Sequence, residues 1–92
     1  MPLSDSEITA ALASLHGWAA TGKAIERHFK FPDFIAAMAF VNRVAEAAEK
    51  ANHHPDITIH YNQVTLSLWS HDSGGVTKRD LKMAATINTL QP

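Results

Sequence analysis

Residues 33 to 55 constrain the fold more than any other stretch of the chain. Asp33, after Pro32, is a good N-cap, because its carboxylate can accept a hydrogen bond from a free backbone N–H of a first helical turn. Phe34, Ala37, Met38, Val41, Val44, Ala45 and Ala48 then recur at three-four spacing, while Asn42, Arg43, Glu46 and Lys50 fall elsewhere. Such a helix has one apolar stripe to bury, and the stripe needs an apolar surface to lie on. Pro55 disfavours helical backbone at His54, so the helix should end near Asn52.

The flanking segments supply that surface. Trp18 to Ala20 and Ala24 to Phe31 enclose Thr21-Gly22-Lys23 and read as a β-hairpin. Ile25, Phe29 and Phe31 share one face by period two, and Arg27 interrupts it. Ile57, Ile59 and Tyr61 alternate with polar residues, as do Val64, Leu66 and Leu68. A two-residue turn at Asn62-Gln63 would set Tyr61 opposite Val64 and Ile59 opposite Leu66, with all six apolar residues on one face. The other face would carry Thr58, His60, Thr65, Ser67 and Trp69, polar enough for water or a subunit contact. Ser4 to Glu7 has the capping-box form and opens a short helix through Ile8, Leu12 and Leu15, with Gly17 to end it. Thr77 to Asp80 is a second capping box, followed by Leu81, Ala84, Ala85 and Ile87. The order is α-β-β-α-β-β-α. The fold class is α+β, with helices covering one face of an antiparallel sheet.

At 92 residues the chain is expected to form a single domain, 1–92, with a thin core that association would help. A formal charge of −1 with scattered Lys and Arg gives no electrostatic case for nucleic acid. With no cysteine, disulfides, thiolate zinc sites and cysteine nucleophiles are excluded, and a reducing, cytoplasmic setting is expected. The N-terminus lacks the basic and apolar regions of a signal peptide, and no apolar run approaches membrane-spanning length.

The compositional oddity is histidine. Of six, His53, His54, His60 and His71 lie within nineteen positions. Glu49 and His53 are four apart at the helix end, and the chain beyond can turn both His53 and His54 towards one cleft. His71 follows the fourth strand, before Gly74-Gly75, and Asp80 opens the last helix nearby. Two duller readings stand beside this one. The histidine pair can simply cap the helix, where imidazolium favours the negative end of its dipole. Asp80 can simply be the fourth member of its capping box. His60 is by default a satisfied or interfacial histidine, His16 and His28 carry no signal, and Trp18 and Trp69 read as packing residues. Three histidines and Glu49 could also ligate zinc, although no H-E-x-x-H motif occurs. No G-x-S-x-G motif or phosphate-cradling glycine motif is present.

The stretches EKANHHPD, YNQVTLSLWSH and GGVTKRDLKMA, with the earlier GW and FKFPDF, closely resemble the pterin-4a-carbinolamine dehydratases over nearly the whole chain. The family pattern is an acidic residue four before His-His-Pro, an aromatic in the next strand, a histidine ending the strand after it, and an aspartate opening the last helix. Here these are Glu49, His53-His54-Pro55, Tyr61, His71 and Asp80. The resemblance implies a four-stranded antiparallel sheet with three helices on one face, and association as a homodimer or homotetramer. It implies dehydration of 4a-hydroxytetrahydropterin to quinonoid dihydropterin in tetrahydropterin recycling, linked to an aromatic amino acid hydroxylase. No metal or organic cofactor is implied. His53, His54 and His71 would be catalytic, and Glu49, Pro55 and Asp80 would bind substrate. His53 and His71 would move protons while His54 holds the pterin, and Asp80 would orient His71 or bind. Imidazole suits such work because its ordinary pKa of about 6.5 lets it give or take a proton near neutrality. Ile57 stands where animal members carry a pocket tryptophan, and Asn52 where some carry aspartate. Nothing in the sequence carries over the transcription-cofactor role of animal members. The rival reading is a non-catalytic protein-interaction adaptor of the same fold.

Overall fold

A computed structural model describes residues 2–91. The elements are α1 (Asp5–Leu12), β1 (Ala19–Thr21), β2 (Ala24–Lys30), α2 (Phe34–Ala51), β3 (Asp56–His60), β4 (Gln63–Leu68) and α3 (Lys78–Leu90). The four strands form one antiparallel sheet in the order β1-β2-β4-β3, so the fold is α+β as the sequence implied.

The helix ends follow local chemistry. Ser4 and Glu7 form the expected capping box: Ser4 N–H donates to Glu7 Oε1 at 2.9 Å, and Glu7 N–H to Ser4 Oγ at 3.2 Å. The Ser4 backbone donor, and then its hydroxyl, hold the Glu7 carboxyl below its ordinary range. Its stabilisation of α1 is therefore present above the ordinary carboxylate range and lost as pH falls through the lowered value. Asp33 caps α2 through Ala36 N–H at 2.8 Å. At the far end Asn52 is left-handed, with φ 49° and ψ 43°, and His53 N–H returns to Ala48 O at 3.1 Å.

The inner sheet face bears Ile25, Phe29, Val64, Leu66 and Leu68, which pack with Ala37, Phe40, Val41 and Val44 of α2 and Met83, Ala84 and Ile87 of α3. Phe40 lies at its centre. It is fully buried, with ring centroids 4.7 Å from Phe29 and 5.1 Å from Phe31. The spacing had placed Phe34 and Ala45 on the stripe and passed over Phe40, whereas Phe34 and Ala45 are exposed. The buried set 37, 40, 41, 44 and 48 is rotated slightly about the helix axis from the expected one, towards the two sheet phenylalanines.

Arg27 does point into the core, as its position in β2 demanded. It is buried, its Cζ lies 4.4 Å from the Phe29 ring centroid, and its guanidinium donates to Asn88 Oδ1 at 2.5 Å and Gln91 Oε1 at 2.7 Å. A buried cation is thus satisfied by two amide oxygens at the end of α3 and by an aromatic face. Gly17 makes room for it. At φ +85° a Cβ on residue 17 would press on this side chain, 2.8 Å from its Cδ. Gly17→Ala should lower stability by about 1 kcal/mol or more, read as a lower denaturation midpoint. An unchanged midpoint would mean that Arg27 yields at no cost.

The second hairpin corrects the expected register. Ile59 pairs with Val64 and Ile57 with Leu66, and the turn is Tyr61-Asn62 rather than Asn62-Gln63. Tyr61 takes the left-handed backbone, φ 53°, and Asn62 is tied to the end of β2 on two sides. Its Nδ2 donates to Phe31 O at 2.8 Å and its carbonyl accepts from Phe31 N–H at 2.9 Å. The slip is two residues, so the same side chains keep the same face. Ile57 and Ile59 remain 37% and 38% exposed because β3 is an edge strand, and Tyr61 is exposed in the turn.

Candidate active site

The site begins where α2 stops. The left-handed Asn52 reverses the chain, so the next two side chains no longer follow helical spacing. His53 turns inward, its side chain only 11% exposed, and its Nε2 meets Asp80 Oδ1 at 2.5 Å. His54 turns outward, and its Nε2 meets Glu49 Oε2 at 2.5 Å between exposed side chains. An exposed pair of this kind contributes at most about 1 kcal/mol to stability, so its value lies in placing the ring.

Asp80 is fully buried at the start of α3. Its Oδ2 accepts from Thr77 N–H at 2.8 Å and from the Ser70 hydroxyl at 2.9 Å, leaving Oδ1 for His53. The capping role and the histidine contact coexist because a carboxylate has two oxygens and several lone pairs. His71 is placed differently, its ring stacked on Trp69 with centroids 3.9 Å apart and planes 28° apart. Asp72 and Arg79 form a surface ion pair at 2.8 Å beside it.

His53, His54 and His71 line one open cleft of about 370 Å³, together with Asn52, Trp69 and Arg79. That is within the ~300–1,000 Å³ range of small-molecule sites. Larger hollows of about 480 Å³ beside α1 and about 550 Å³ between α2 and α3 contain no histidine. Glu49 and Asp80 reach the cleft only through His54 and His53, and the half-buried Pro55 is not among its lining residues. Two pairings differ from expectation. Asp80 holds His53 rather than His71, and Glu49 holds His54 rather than His53, because helical spacing ends at Asn52. His60 lies exposed on the outer sheet face, and exposed His28 bonds Thr65 Oγ1 at 2.8 Å.

The sequence reading missed Ser70 and Arg79, and it took Trp69 for packing. Ser70 had a signal: it extends the inward parity of Val64, Leu66 and Leu68, so a polar side chain was due in the core. Among the described residues no three His, Cys, Asp or Glu side chains are grouped to hold a metal ion. The carboxylates are divided between two histidines that face different ways.

A buried His–Asp pair and two further imidazoles on one cleft are groups chemically able to give and take protons. The family model for pterin 4 alpha carbinolamine dehydratase matches residues 1–90, and the chain belongs to that family. A Koribacter versatilis protein, provisionally named a pterin-4-alpha-carbinolamine dehydratase, is 62% identical over 98% of this chain and 96% of its own length. One from Acidobacterium capsulatum with the same provisional name is 53% identical over 96% of each. Among solved structures, a Brucella melitensis transcriptional coactivator/pterin dehydratase superposes with a TM-score of 0.95 at 40% identity over the whole of both chains. A pterin dehydratase-like protein, identified as a RuBisCO assembly factor in the α-carboxysome, shares the fold. Its TM-score is 0.72 at 23% identity, over 83% of this chain and 90% of that one.

Proposed function

We propose that this chain dehydrates 4a-hydroxytetrahydropterin to quinonoid dihydropterin. The observation that carries the reading is the buried His53–Asp80 pair sharing one cleft with His54 and His71. The reaction breaks the C4a–O bond with its electron pair leaving on oxygen. A donated proton turns the departing hydroxide into water, N5 gives up its proton, and the C=N bond forms. It balances with one acid and one base and no oxidant or reductant.

The residues divide these tasks. The Asp80 carboxylate accepts from His53 Nε2–H, which leaves Nδ1 with a free lone pair. Among the described residues Nδ1 makes no hydrogen bond and no buried side-chain nitrogen or oxygen lacks a partner, so Nδ1 is open to solvent. His53 takes the N5 proton there. His71 protonates the leaving hydroxyl, and His54, steadied by Glu49, holds the pterin. Pro55 stiffens the histidine pair. Asp80, with no exposed surface, acts through His53. Trp69 offers an aromatic face from β4's end, compensating for Ile57 at the position of the family tryptophan.

The same reading includes association as a homodimer or homotetramer, with the half-exposed Ile57 and Ile59 of the β3 edge in contact, and a cytoplasmic setting beside an aromatic amino acid hydroxylase. No helix among the described residues is long and apolar enough to cross a membrane. That exposed apolar edge also favours a second reading, a non-catalytic adaptor, and the Brucella melitensis relative, a transcriptional coactivator/pterin dehydratase, points the same way. The deciding measurement is loss of synthetic 4a-hydroxytetrahydropterin with and without purified protein. Acceleration that survives a metal chelator is the expected result. A rate equal to the spontaneous one would leave the adaptor.

A further inference from the structure

Asp80 is not left to hold His53 unaided. Its Oδ2 is occupied by Thr77 N–H at 2.8 Å and by the Ser70 hydroxyl at 2.9 Å. Ser70 is 1% exposed, and its Oγ lies 2.8 Å from Thr77 Oγ1. A serine hydroxyl has one proton, and here Asp80 receives it, so the Thr77 hydroxyl donates to Ser70. The result is a chain of donors that converges on Asp80, Thr77 to Ser70 to Oδ2 on one side and His53 Nε2–H to Oδ1 on the other, in which neighbouring bonds polarise one another. The Ser70 backbone also closes the loop that follows it. Its N–H donates to Gly75 O at 2.9 Å, and its carbonyl accepts from Ser73 N–H at 3.1 Å and Gly74 N–H at 2.9 Å. That loop carries His71.

We propose that Ser70 is a positioning residue that sets both halves of the site. Its hydroxyl orients Asp80 so that His53 keeps its proton on Nε2 and offers Nδ1 to the cleft, while its backbone holds the loop of His71. The kinetic part of this inference rests on the dehydratase reading; the tautomer part does not. With the hydroxyl gone, Asp80 Oδ2 keeps only its contacts to Thr77, the carboxylate is held from one side and can tilt, and the Nε2–H tautomer is no longer enforced.

Ser70→Ala tests this with the backbone bonds left intact. The expected result is a fall in kcat of about 10-fold, the scale of one hydrogen bond to a charged group, with KM nearly unchanged. Imidazole nitrogen NMR should show His53 protonated on Nε2 alone in the wild type, and as a tautomer mixture in Ser70→Ala. Ser70→Thr keeps the hydroxyl and should restore both readouts. Should Ser70→Ala not fold, Thr77→Val breaks the same chain one step earlier and should move both in the same direction by less. A wild-type kcat with a single Nε2–H tautomer in Ser70→Ala overturns the proposal, as does a wild-type His53 protonated on Nδ1. If no pterin is turned over at all, the dehydratase reading fails while the tautomer measurement still decides the role of Ser70.

Discussion

His53→Ala should lower kcat for carbinolamine dehydration by about 10²-fold or more, within the ~10²–10⁴-fold span of general acid–base catalysis. Some activity should remain, because His54 and His71 still line the cleft. Truncation has a second effect that has to be separated from the first. It leaves Asp80 Oδ1 buried without its partner, and a buried acceptor left unsatisfied costs about 1–3 kcal/mol. His53→Gln is the cleaner variant. A glutamine amide can donate to Asp80 but cannot take a proton from N5. It should therefore be as slow as His53→Ala and distinctly more stable. A His53→Gln enzyme with wild-type kcat would remove His53 from the chemistry, whatever the cleft looks like.

The largest stability effect belongs to a residue far from that cleft. Phe40→Ala should cost about 3–5 kcal/mol in chemical denaturation, the usual range for deleting a buried aromatic ring. Phe40 is fully buried, and its ring touches both Phe29 and Phe31, so the cavity would be walled by a sheet and a helix that cannot both close in. Small domains are stable by only about 5–15 kcal/mol, so this single change should bring the chain close to unfolding near room temperature. A loss below about 1 kcal/mol would mean that the core sits elsewhere.

Local signals explain what was legible beforehand. Asp33 and Pro55 bracket α2 because an N-cap and a pre-proline restriction act on the backbone directly. The β3–β4 register was misjudged because a period-two pattern is unchanged by a slip of two; only the tertiary bonds between Asn62 and Phe31 select the true turn. Phe40 was passed over because three-four spacing leaves the rotation of a helix about its axis loosely defined, and the packing against Phe29 and Phe31 decides it. At the site, the histidines stood out by type and clustering, but their partners did not. Glu49 and His53 are ideally spaced on a helix, and that spacing lost its meaning when Asn52 turned left-handed. Arg27, an apparent blemish in β2, is a core residue whose amide partners lie more than sixty positions away, beyond any local pattern.

The cleft is a seam between three pieces of chain: residues 52–54, residues 69–72, and the first turn of α3. A hairpin has to zip and a terminal helix has to dock before any of its groups meet. Contacts so distant along the chain form late and together, so a partly folded molecule or a proteolytic half should have no residual chemistry. Turnover of the proposed reaction would double as a gauge of how much of a preparation has finished folding.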